Sequence, residues 1–156
     1  MELLPRIEAA WKIGRKQLII PTLGYTKRIN VFVTLLWPSR KIVWNVFRRR
    51  RNGEFRRHLS HVLAHARRHK LKKIVMFVDH ASYHKTKEVN KFRREHRDML
   101  RIKFLGKKDP NSNPTECLVN KRLNSAVSIN RCHASIDELT RATREFLGRY
   151  NNIYAT

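Results

Sequence analysis

The chain has 156 residues and 18.7 kDa, with 35 Lys and Arg against 12 Asp and Glu, a formal net charge of +23 before any of its 8 His is protonated. With 41% hydrophobic residues and only 5 Gly and 5 Pro it can bury a core, which excludes a disordered basic tail. Two Cys cannot staple it, Glu2 and Pro5 interrupt any signal-like run, and no apolar stretch approaches the roughly 18 residues a bilayer span needs. The expectation is one domain in a reducing, intracellular compartment with a polyanionic partner. Nucleic acid comes first, and an anionic lipid surface second for want of a basic amphipathic anchor.

In chain order, "MELLP" reads as the tail of a strand whose first half is missing. "QLIIPTLGY" and "KRINVFVTLLW" are rich in β-branched and aromatic residues and read as extended segments, with Pro38-Ser39 as a turn. "KIVWNVF" alternates as a strand and ends in Arg48 to Arg51, with Asn52-Gly53 as a break. Phe55, Leu59, Val62, Leu63 and Ala66 share one face of an amphipathic helix. "IVMFV", closed by Asp79, suits a central strand buried on both faces. A surface helix over Lys85 to Arg97, a strand over "MLRIKFLG" and a loop over Lys107 to Ser112 follow. Asn113-Pro114 then opens a helix, and Ser135 with Glu138 forms a capping box ahead of Leu139, Ala142, Phe146 and Leu147. Strands first, then strand and helix in alternation, imply an α/β fold: antiparallel edge strands beside parallel ones, flanked by helices, with any site on one rim.

Asp79 closes a strand, where open α/β sheets place ligands, and a cluster of His80, Ser82, Tyr83 and His84 follows it. The plainer reading is a turn cap. Glu116, three residues after Asn113, reads by itself as a capping residue. As a pair on one rim, however, the carboxylates would repel unless a divalent cation joined them, and hard oxygen donors suit Mg²⁺. Arg48, Arg49 and Arg50, then Lys85 and Lys87, then Lys107 and Lys108, are candidates to hold phosphates, with His84 a further contact. His58, His61 and His65 recur on a helix with no carboxylate or Cys beside them, so they read as a polar face rather than a zinc site. Cys117 and Cys132 read as reduced thiols. Trp11, Trp37 and Trp44 read as core or strand-surface residues.

The runs "VDHASYHKTKEVNKF", "LRIKFL", "NPTE" and "SINRCHASIDELTRATREFL", after "LLPRIEAAWKIGRKQ", "PTLG" and "KRINVFVTLLW", resemble the catalytic domain of the DDE transposases of bacterial and archaeal insertion sequences, in the mariner-related branch. The likeness covers nearly the whole chain, and the pairing of Asp-x-Ala-Ser-Tyr-His with Asn-Pro-x-Glu, 36 residues lying between Asp79 and Glu116, is its specific part. The resemblance implies an RNase H-like fold, Asp79 as the second metal-binding Asp and Glu116 as the final Glu. It further implies two Mg²⁺ (or Mn²⁺) ions and DNA as partner, both transposon ends and target. A dimer on DNA and a cytoplasmic, nucleoid-associated place of action belong to the same expectation. The family's first Asp lies on the opening strand, ahead of the "LLP" run, and neither Glu2 nor Glu8 stands in its place. Val119 stands where the family usually has Trp, and "FLGKKDPNSNPTE" replaces its Pro-rich loop. The helix-turn-helix domains that find transposon ends are absent from these residues. The expectation is therefore a truncated or split-frame product, residues 1–156 forming one catalytic domain with impaired cleavage. The alternatives are a non-catalytic basic nucleic-acid-binding protein and another RNase H-like nuclease.

Overall fold

Alternating β-branched and aromatic residues build the first hairpin. In the structure, a computed structural model that describes residues 1–2, 8, 22, 27–106 and 113–155, β1 (Asn30–Leu35) pairs antiparallel with β2 (Ile42–Phe47), Asn30 opposite Phe47 and Leu35 opposite Ile42. The expected extended segment over 17–25 and the loop over 107–112, with Lys107 and Lys108, lie outside the described residues apart from Thr22. Ahead of β1, Met1 and Ile29 exchange two backbone hydrogen bonds of 2.8 and 2.9 Å, and Glu2 bridges Arg28 antiparallel.

Helix α1 (Asn52–Arg68) follows at once, so Asn52 and Gly53 form its first turn rather than a break before it. Its buried face carries the expected Phe55, Leu59, Val62, Leu63 and Ala66, and also His58. A parallel pair comes next, β3 (Ile74–Val78) beside β4 (Leu100–Phe104), with Ile74 opposite Leu100. Helix α2 (Lys87–Glu95) makes the crossover. Thr86 Oγ1 caps it by accepting from Val89 N–H, and Val89 and Phe92 point inward. Phe32, Phe55, Leu59, Leu63, Met76, Val78, Val89, Phe92, Leu100 and Ile102 form one core under α1 and α2.

The last third packs on the other face of the hairpin. A π-helical turn (Glu116–Asn120) leads into α3 (Lys121–Val127), and α4 (Ile136–Tyr154) completes the chain's described part. Ser135 Oγ accepts from Glu138 N–H at 3.1 Å, while Glu138 Oε2 accepts from Ala134 N–H at 2.7 Å, one residue further back than a standard capping box reaches. Leu123, Val127, Leu139, Leu147 and Tyr150 meet Ile29 and Ile42 in a second core.

One expectation fails in part. "IVMFV" is not buried on both faces: Met76 and Val78 are inside, but Val75 and Phe77 are 47% and 59% exposed. The reason is layering: α1 and α2 cover the face of Met76 and Val78, and among the described residues no comparable layer covers the face of Val75 and Phe77. Among the described residues β3 bonds only to β4, β1 bonds only to β2, and the two pairs do not join into one sheet.

Candidate active site

Asp79 leaves the carboxyl end of β3 with its side chain 62% exposed, and the chain then turns tightly around it. Its Oδ1 accepts from Ala81 N–H at 3.0 Å, which closes an Asx turn. The short 3₁₀ turn Ser82–His84 then brings His84 Nδ1 within 3.0 Å of the same carboxylate oxygen and 3.1 Å of the Asp79 carbonyl. His84 is buried, its ring 4.2 Å from Phe55 and 4.3 Å from Tyr83. Burial lowers its pKa, and the backbone and charge of Asp79 pull the other way. The contact has the geometry of an ion pair, but desolvation is the larger effect. At neutral pH it is a neutral imidazole donating Nδ1–H to Asp79. Tyr83 packs against Phe32 and Phe55, and burial followed by the Asp79 charge raises its pKa, opposed by Arg50.

His80 is fixed from both ends. Nε2–H donates to the Leu105 carbonyl at 2.8 Å, Nδ1 accepts from Lys85 Nζ at 3.0 Å, and the ring stacks on Phe104 at 5.2 Å. Lys85 lies over the same Phe104 ring at 5.2 Å, so its ammonium is held on the Asp79 rim. Lys87, the first residue of α2, is exposed nearby in sequence.

Glu116 stands on the π-helical turn, where Lys121 N–H donates to the Glu116 carbonyl. Such widened turns are frequent at functional sites. The helix opens at Pro114 as expected, with Asn113 Oδ1 accepting from Thr115 N–H at 3.2 Å and the Asn113 carbonyl from Glu116 N–H at 3.0 Å. Glu116 is exposed and lines a cavity of about 220 Å³ with Met1, Asn30, Val31, Arg50, Asn120, Leu123 and Asn124.

Arg50 borders both the Glu116 cavity and the turn that follows Asp79. It lines the Glu116 cavity, and its guanidinium lies 5.7 Å from the centre of the Tyr83 ring, the residue before His84. The other predicted basic residues divide. Arg48 pairs with Asp137 at 3.2 Å in the open, and Arg49 is exposed.

Sequence reasoning took Arg48, Arg49 and Arg50 alike as phosphate contacts, but of the run only Arg50 lines the cavity. It missed one residue. His58 was grouped with a polar helix face, but it is 1% exposed, with its pKa pushed down to about 3 by burial and then by His61. Thr34 Oγ1–H donates to its Nε2 at 2.8 Å, and its Nδ1–H donates to Asn45 Oδ1 at 2.8 Å, which also accepts from His61 Nδ1 at 3.2 Å. The signal was there: position 58 falls three residues after Phe55, within the buried arc.

An antiparallel hairpin and a parallel pair, with α1 and α2 over one core and α3 and α4 over the hairpin's other face, make an α/β domain of the RNase H-like fold. Residues 4–140 match the family model described as DDE superfamily endonuclease, and the chain belongs to that family. No curated protein sequence matches it significantly. Among solved structures it is similar to the Mos1 transposase paired-end complex with left transposon end, at 10% identity and a TM-score of 0.67, over 93% of this chain and 44% of that one. It is also similar to the simian T-cell lymphotropic virus intasome in complex with PP2A regulatory subunit B56 gamma, at 13% identity and a TM-score of 0.49, over 83% and 53%. The expected RNase H-like fold is thus present, and the chain spans less than half the length of the Mos1 transposase chain it matches.

Asp79 and Glu116 offer the hard oxygen donors a divalent cation takes. Among the described residues, however, no three His, Cys, Asp or Glu side chains gather to hold a metal ion. The fit is right in donor chemistry and incomplete in number. No described helix is long and apolar enough to cross a membrane.

Proposed function

We propose that residues 1–156 are the catalytic domain of a DDE-type DNA transposase, in which Asp79 and Glu116 are two of the three acidic ligands. The observation that carries this reading is Arg50, which lines the Glu116 cavity and stacks on the Tyr83 ring of the Asp79 rim. With divalent ions bound, Mg²⁺ or Mn²⁺ would polarise the attacking and leaving oxygens of a phosphodiester. The chain's own residues do the positioning. His84 holds the Asp79 carboxylate from a buried ring, and Arg50, Lys85, Lys87, Arg48 and Arg49, with Lys107 and Lys108 outside the described residues, bind transposon-end and target DNA by their phosphates. Neutralising 6 phosphates gives a slope of about −5 for log K against log salt.

The third carboxylate is proposed to come from a strand running ahead of Met1. Two features support this. In β1 the odd-numbered residues turn their N–H and C=O groups away from β2, as Ile29 does toward Met1, so Val31 and Val33 leave an open edge among the described residues. Met1 opposite Ile29 sets a register in which residues two and four positions before Met1 would face Val31 and Val33, on the side of the Glu116 cavity that Met1 and Val31 already line. By itself this chain then binds DNA and cleaves it weakly. Assembly as a dimer on DNA, in prokaryotic cytoplasm at the nucleoid, completes the reading. The incomplete set of acids keeps a second reading in place, a non-catalytic DNA-binding remnant.

Divalent-dependent nicking of supercoiled DNA tests it, using this chain, the chain extended upstream by the proposed strand, and the extended chain with Asp79→Ala. The expected order is weak, strong, absent. Strong nicking that survives Asp79→Ala would overturn the assignment, and DNA binding indifferent to Mg²⁺ in all three would favour the remnant.

A further inference from the structure

Among the described residues, the outer edge of β2, the one turned away from β1, is open along most of its length. At its start the side chain of Asn151 from α4 imitates a neighbouring strand: Ile42 N–H donates to Oδ1 at 2.7 Å, and Nδ2 donates to the Ile42 carbonyl at 3.2 Å. Strand periodicity turns the N–H and C=O of Trp44 and Val46 the same way, and no strand pairs with them among the described residues. The edge forms the floor of a groove of about 560 Å³ between two helices, with His61 and His65 of α1 on one wall and Arg144 and Asn151 of α4 on the other. No carboxylate lines it, and Lys41 is close enough to contribute to the lowered pKa of His65.

We propose that this groove accepts an acidic extended peptide of a partner protein, which adds to β2 as a further strand. The free N–H and C=O groups call for a peptide backbone, whose donors and acceptors alternate at the strand repeat. A nucleic-acid backbone offers acceptors without matching donors. Arg144 on the α4 wall, with Lys41 near the groove and the chain's +23 overall, selects against a second copy of this chain and favours Glu or Asp at the peptide positions facing α4. Asn151, already bonded to Ile42 both ways, sets where the added strand must stop. This surface is separate from the open edge of β1, which the functional reading assigns to the strand ahead of Met1.

The test uses the full chain and three fluorescein-labelled hexapeptides: alternating Glu and Val, alternating Lys and Val, and alternating Glu and Pro. The first is expected to bind and to slow amide exchange at Trp44 and Val46 by at least about tenfold, leaving Asn45, which faces β1, unchanged. Arg144→Glu should weaken that binding by roughly tenfold or more, and Val46→Pro, which removes an outward N–H, should weaken it too and reduce the protection at Trp44. Equal binding of the Glu-Pro peptide would reduce the site to bulk charge and overturn the proposal. So would protection that appears at Val31 and Val33 instead, or oligothymidylate that protects the same two amides as well as the peptide does.

Discussion

Two buried histidines flank the Phe55 end of α1, and they serve opposite ends. His58 lies under the hairpin, tied to the neutral Thr34 hydroxyl and Asn45 carboxamide, and burial holds it neutral to about pH 3. His84 lies under the rim, tied to an exposed carboxylate that pulls its pKa back up against the burial that lowers it. Desolvation acts on both; the partner decides the outcome. A buried imidazole with neutral partners pins strands to a helix. One bonded to a carboxylate aims that carboxylate from the core and remains sensitive to what binds there.

That contrast can be broken at several points. In the upstream-extended chain, Asp79→Ala should cut divalent-dependent nicking by at least about a thousandfold, some 4 kcal/mol of barrier. His58→Leu leaves Thr34 without its acceptor and Asn45 with one donor fewer, so denaturant unfolding should show a loss of about 2–3 kcal/mol. His84→Phe keeps the packing on Phe55 but releases Asp79. In the extended chain it should raise the Mg²⁺ concentration needed for half-maximal nicking by roughly tenfold to a hundredfold, with the unfolding midpoint little changed.

Acid should act through His58 first. Below its ordinary pKa of 6.5 the unfolded histidine takes up a proton that the folded one refuses until about pH 3. The stabilisation is therefore complete above pH 6.5 and is lost as pH falls toward 3, by about 2 kcal/mol between pH 6.5 and 5. His84, also lowered, adds to the same trend. His58→Leu should flatten most of that slope. Arg48→Ala, which breaks an ion pair exposed on both sides, should change stability by no more than about 0.5 kcal/mol.

Much of this was legible in the sequence wherever local physics decides. The hairpin, the α1 face, the Asn113-Pro114 start and the Ser135 cap follow from alternation, helical spacing and capping chemistry, and they stand where those rules put them. Asp79 at a strand end was legible for the same reason. What was not legible depends on contacts distant in sequence. The open face of β3 depends on whether a layer packs on it, which "IVMFV" cannot state. The burial of His58 depends on two polar partners from different strands, Thr34 and Asn45, arriving at the right height. The selection of Arg50 from four consecutive arginines depends on Tyr83, brought up from the other side of α1.

The central claim, that Asp79 and Glu116 belong to one divalent-cation site, is tested most directly by loading the upstream-extended chain with Fe²⁺ and letting hydroxyl radicals cleave the backbone next to the bound ion. The account predicts cuts beside both Asp79 and Glu116, competed away by Mg²⁺ and lost together in Asp79→Asn. Cuts at only one of them, or at the His61 and His65 wall, would contradict it.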